Sequence, residues 1–206
     1  MIALGRRIQG FTRSTISVNN NLVGRLAALH LIGRGYEDFL YIGIKQYPNM
    51  VDERGNAFEE RFIESQISFS SRNIFYFDPQ NLTETLQKLS RRIAAIRVPT
   101  GVFCYHDNIA VELLRLCMMQ GIDVPNQIGI IGCDNLDVTL STTPKLSTLS
   151  YPYDGIAELA VETLLQEIES GQSNAAHINI SPEVIARQST LLKKEAPPPA
   201  SNRSAV

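Results

Sequence analysis

The side chains that could do chemistry are few, and they are binding groups rather than reacting ones. Arg54 heads a helical pattern after a polar stretch. A guanidinium fork there can give bidentate hydrogen bonds to sugar hydroxyls or to a carboxylate. The competing reading is a solvated surface arginine, the usual fate of the residue. Asp134 ends an apolar run, IGIIGCD. In an open α/β sheet ligands bind outside the carboxyl ends of the strands, where a carboxylate can accept two hydroxyl donors. It could equally cap the next turn. His106 and Asp107 follow a second such run, GVFCY. A neutral imidazole offers one donor and one acceptor. Asp107 can serve as the N-cap of a helix starting at Asn108.

No catalytic constellation accompanies them. The chain has no G-x-S-x-G elbow, no G-x-G-x-x-G turn and no Walker A loop, so no cofactor is expected. Cys104, Cys117 and Cys133 are odd in number, without metal-like spacing, and each sits in an apolar run. Buried free thiols are the expectation, which suits a reducing cytoplasm. Glu59, Glu60 and Glu112 read as solvated helix charges.

The elements that must position these residues can be read from periodicity. Strands are expected over 2–4, 15–18, 39–44, 74–77, 101–105, 128–132, 147–149 and 184–187. Helices are expected over 20–33, 54–66, 82–95, 108–120 and 155–170. Strands alternating with helices of this length argue for βαβ units and a parallel sheet. The runs at 39–44 and 101–105 are almost wholly apolar, as in strands covered on both faces. Asn81 and Glu84 have the spacing of a capping box. The end of the chain, KKEAPPPASNRSAV, is polar and proline-rich, so 192–206 is expected to be disordered. The formal net charge is −2, which excludes a general polyanion binder. No window approaches the ~18 apolar residues of a membrane span, and the first ten residues, MIALGRRIQG, lack a signal-peptide core.

Five stretches resemble, in order, the pattern of the lactose-repressor/galactose-repressor (LacI/GalR) family. VNNNLVGRLAALHLIGRGYEDFLYIG is similar to its V-D-N…G…A…H-L unit, and Arg54-Gly55-Asn56-Ala57-Phe58 to its R-x-x-G-[FW] element. GVFCYHDNIAVELLRLCMMQGIDVPNQIGIIGCDN resembles a strand ending in Asn-Asp, a helix closed by G-x-x-V-P, and a strand ending in G-[FY]-D. Residues 144–149 and 184–190 resemble its P-x-L-T-T-[IV] and L-x-x-R-x-S-T segments. His106 departs from the usual Asn, which alters the ligand chemistry open to that position.

The resemblance implies a periplasmic-binding-protein-like type I fold: α/β, with doubly wound parallel sheets in two lobes, the N-terminal one incomplete. Residues 1–20 and 151–180 would belong to the N-terminal lobe, 21–150 and 181–191 to the C-terminal lobe. Arg54 and Asp134 fall on the family's effector arginine and aspartate. Tyr151 lies where the family often has Gln, at the second crossover between lobes, and could stack on a sugar face or pack in the hinge. Asn19 stands at the usual crossover Asp and could be a hinge hydrogen bond or a site contact. The implied partners are a sugar-like effector, a second copy of the chain through 108–120 and 137–142, and operator DNA through a headpiece expected to be missing here. The alternative is a stand-alone sugar-binding protein of the periplasmic type.

Overall fold

The computed structural model describes residues 1–5, 13–45, 51–171 and 176–192. Two sheets organise it. The smaller holds β1 (Ala3–Leu4), β2 (Thr15–Val18) and β8 (His177–Ile180), all parallel, in the order β1-β2-β8. The larger holds β3 (Asp38–Ile44), β4 (Ile74–Phe77), β5 (Thr100–Cys104), β6 (Ile128–Asp134), β7 (Ser147–Ser150) and β9 (Val184–Ile185), in the order β4-β3-β5-β6-β7-β9. Every pairing in it is parallel except β7 with β9.

The larger sheet is buried on both faces, and its strands alternate accordingly. Leu40, Ile42, Val102, Cys104, Ile128 and Ile130 point to one side. There they meet α3 (Leu82–Ala94) and α4 (Asp107–Met119) through Leu89, Ile93, Ile109 and Leu113. Phe39, Tyr41, Phe103, Ile131 and Cys133 point to the other. There they meet α1 (Asn20–Arg34) and α2 (Glu53–Glu64) through Val23, Ala27, Leu31, Phe58 and Phe62. The three cysteines are free and buried.

The chain passes between the sheets three times: β2 into α1, β7 into α6 (Tyr153–Ser170), and β8 into β9. The crossings are stitched together. The Asn19 amide donates to the Ile180 carbonyl at 2.9 Å, and the Ser150 amide to the Glu183 carbonyl at 2.8 Å.

Several elements differ from the sequence reading. Strand β8 was not anticipated: its HINI sequence has only two apolar residues and borders a polar stretch. The segment 137–142 contains a short helix, α5 (Val138–Ser141). The last strand pairs only over Val184–Ile185. The capping box at Asn81 does not form. Asp78 accepts from the Gln80 amide instead, and Asn81 donates its side-chain N–H to the Asp78 carboxylate. Of the tail 192–206 expected to be disordered, all but Leu192 lies outside the described residues. Among the described residues no helix is long and apolar enough to cross a membrane.

Candidate functional site

Arg54 is buried, not solvated: it is 5% exposed. Three features fix it. Asp52 caps α2, accepting the Gly55 amide at 3.0 Å, and is itself held by the Tyr41 hydroxyl at 2.9 and 3.0 Å from its two oxygens. Tyr41 is a core residue of β3, so the first turn of α2 is tied to the sheet. Gly24 lets α1 cross that turn closely, since a Cβ there would lie 2.2 Å from the Arg54 carbonyl oxygen. The guanidinium then donates through Nε to Asn20 Oδ1 at 2.9 Å and through Nη1 to the Tyr105 carbonyl. Its carbon lies 4.6 Å from the centroid of the Tyr105 ring, a cation–π distance. Nη2 has no hydrogen-bond partner among the described residues. Nε and Nη1 of a buried guanidinium are thus committed to the protein, and Nη2 is left for something else.

Asp134 ends β6 at the same rim. Its φ is 110°, followed by 55° at Asn135, a left-handed excursion that non-glycine residues rarely make. The turn-cap reading does not hold. The Asn135 amide goes to Thr148 Oγ1 and the Leu136 amide to Asp107, leaving the Asp134 carboxyl out of the turn's own bonding. Burial pushes that carboxyl up to about 6, with the Arg54 charge and the Cys133 thiol pulling the other way. Arg54 and Asp134 act on each other's charge, as Arg54 also acts on Asp52.

His106 caps α4, its Nδ1 accepting from the Ile109 amide at 3.3 Å. That bond makes Nδ1 the acceptor and leaves Nε2–H as a donor. Burial first, and then the Arg54 charge, push its pKa below the ordinary value. Asp107 is therefore not the cap that its type suggested: it is the first residue of the helix, wholly buried, and bonds elsewhere.

Tyr151 lies half-buried at the second crossing, its ring centroid 4.6 Å from that of Tyr153. Burial raises its phenol, and the charges of Arg54 and Asp134 both reach it. Asn19 is placed differently. It caps α1, accepting the Leu22 amide at 3.0 Å, while its own amide bonds across to β8. The Arg54 charge thus reaches Asp134, His106 and Tyr151, and Asn19 caps α1 at the first crossing. Asn20 and Tyr105 were missed from the sequence. Asn20 sits in an undistinguished run of three asparagines, and Tyr105 reads as a strand residue; both orient Arg54.

This arrangement offers donors from Arg54 and His106, an acceptor in Asp134 and aromatic faces in Tyr151 and Tyr153. Such a set can pair with hydroxyl groups as donor and as acceptor. Residues 28–190 match the family model described as a periplasmic binding protein-like domain. The chain belongs to that family. Its relatives bear names of the regulator class that the motif series resembles. The HTH-type transcriptional repressor PurR of Aliivibrio fischeri (strain MJ11) is 28% identical over 175 residues, 84% of this chain and 52% of that protein. The Ribose operon repressor of Haemophilus influenzae is 29% identical over 173 residues, 83% of this chain and 51% of that protein. The chain spans about half the length of these relatives. Among solved structures, a LacI family transcriptional regulator from Enterococcus faecium with bound ribose aligns with a TM-score of 0.78 at 23% identity. That alignment covers 94% of this chain and 71% of that one, and it is a likeness of periplasmic binding protein-like fold.

Proposed function

We propose that this chain is the effector-binding module of a LacI/GalR-type transcription regulator, and that it binds a sugar-like small molecule without transforming it. The observation that carries the reading is the half-committed guanidinium of Arg54. Two of its nitrogens are anchored on Asn20 and Tyr105 while Nη2 is left over, across the rim from an Asp134 carboxyl that the turn does not use. A polyol leaving water needs both donors and acceptors restored, and this pair supplies one of each. The names of the relatives favour a regulator over a stand-alone binding protein and over an enzyme.

In the whole protein, operator DNA is the second partner and is contacted by a headpiece rather than by this module, in the cytoplasm. The module pairs with a second copy through α4 and α5. Leu140 in α5 is 50% exposed, whereas Val111 in α4 is partly buried against its own core, so Leu140 is the better candidate contact. Leu140→Glu is expected to shift sedimentation toward monomer; an unchanged profile removes α5 from the interface.

The direct test of the binding reading is a thermal-shift screen of the purified chain against pentoses, hexoses, disaccharides and nucleosides. A sugar that binds the folded state raises the melting temperature with concentration. A screen in which none of these compounds stabilises the chain contradicts the reading.

A further inference from the structure

Asp107 does something that its position in the helix does not require. A carboxylate in the first turn ordinarily serves its own helix. Here His106 caps α4, and Asp107 reaches instead to the turn that follows β6. Its Oδ2 accepts the Leu136 amide at 2.9 Å and its Oδ1 the Thr148 hydroxyl at 2.7 Å. The Thr148 oxygen accepts the Asn135 amide at 3.2 Å. Two consecutive amides just past Asp134 are therefore anchored on one buried carboxyl, one directly and one through a hydroxyl. The approach is close: a Cβ at Gly132 would lie 2.2 Å from Asp107 Oδ1. From the other side Arg187 donates to Asn135 Oδ1 at 2.8 Å, Thr139 Oγ1 at 2.9 Å and the Leu146 carbonyl at 2.7 Å.

The turn so gripped is the one with φ of 110° at Asp134 and 55° at Asn135. A backbone of this kind persists only where its surroundings over-determine it. We infer that Asp107 is a positioning residue: with Thr148 and Arg187 it holds the 134–136 turn in its left-handed form and so aims the Asp134 carboxylate across the rim toward Arg54. The destination of Asp134 rests on the effector-site reading above; the grip on the turn rests on geometry alone.

The test uses the intact isotope-labelled chain with no ligand. Two signals are followed: hydrogen exchange at the Leu136 amide, and the one-bond Cα–Hα couplings of Asp134 and Asn135, which report positive φ. Asp107→Asn keeps one acceptor and is expected to speed Leu136 exchange about tenfold, with Asp107→Ala faster still and both couplings moving toward ordinary values. Thr148→Val, which removes only the hydroxyl relay, should move Asn135 while Leu136 stays protected, and it serves if neither Asp107 variant folds. Thr100→Val is the control. It removes a hydroxyl bond to the Val98 carbonyl at the opposite end of β5 and should cost stability without moving either signal. Retention of Leu136 protection and of both couplings in the Asp107 variants, or of the Asn135 coupling in Thr148→Val, overturns the inference. So does an equal shift in Thr100→Val. The signals need no sugar, so their outcome is separate from that of the effector reading.

Discussion

The larger sheet has helices on both faces, and its strands bury every apolar side chain from Phe39 to Ile42 and from Val102 to Cys104. The three-stranded sheet is finished differently. Ile16 and Val18 are buried, yet α6, which lies against β2, has only Ile156 buried and leaves Val161, Leu164, Leu165 and Ile168 exposed. Asp134 ends a strand of the covered sheet, His106 follows another, and Arg54 stands in a helix tied to the sheet through Asp52 and Tyr41. Tyr151 stands where the chain leaves that sheet for the other. The groups we propose for the effector thus sit on the well-packed side, apart from the aromatic Tyr151 at the joint.

The largest expected contrast is in stability. Phe103 is fully buried and rings with Tyr41 and Phe58 at centroid distances of 5.4 Å. Phe103→Ala should cost about 3–5 kcal/mol, read from the urea midpoint. Leu165→Ala on α6 should cost about 0.5 kcal/mol or less. Similar losses at the two positions would break the comparison.

A smaller effect sharpens it at the rim. Asp134 is pushed up to about 6 by burial, from the ordinary 3.8. Between these values the folded chain binds more protons than the unfolded one, so this group's contribution to stability falls as pH rises through the window. His30, pushed down to about 4 by burial and by Arg34, has the opposite slope between about 4 and its ordinary 6.5. Asp107, also pushed up to about 6 by burial and in smaller part by the Asp134 charge, titrates in the same window, so the difference between parent and Asp134→Asn reports Asp134 together with that coupling. The variant is expected to be more stable at pH 7, by on the order of 1–3 kcal/mol, and no more stable near pH 4. Asparagine also accepts a positive φ readily. A variant less stable than the parent at neutral pH would show that Asp134 serves the fold. The smallest effect is at Glu64, held near 2 by Arg25 and Arg61 on an exposed face. Glu64→Gln should leave the urea midpoint unchanged at about 0.15 M salt.

The covered sheet was legible in the sequence because two-faced burial writes itself as unbroken apolar runs. Strand β8 was not, because HINI beside a polar stretch carries little of that signal. Arg54 could be marked as a binding group, but its burial depends on Gly24, Asn20 and Tyr105, residues brought to it by the crossing of α1 and the end of β5. The exchange of roles between His106 and Asp107 was hidden for the same reason. Local preference favours Asp as the cap, but the partners that draw Asp107 away, Leu136 and Thr148, lie 29 and 41 residues on.

The central claim is that Arg54 and Asp134 grip one polyol together, and calorimetry on the best sugar from the screen tests it most directly. Arg54→Ala and Asp134→Ala should each weaken binding roughly ten- to a hundred-fold, since each strands a charged hydrogen bond. The double variant should lose less than the product of the two, because the pair shares a ligand. Binding as tight as the parent's in either single variant would contradict the account.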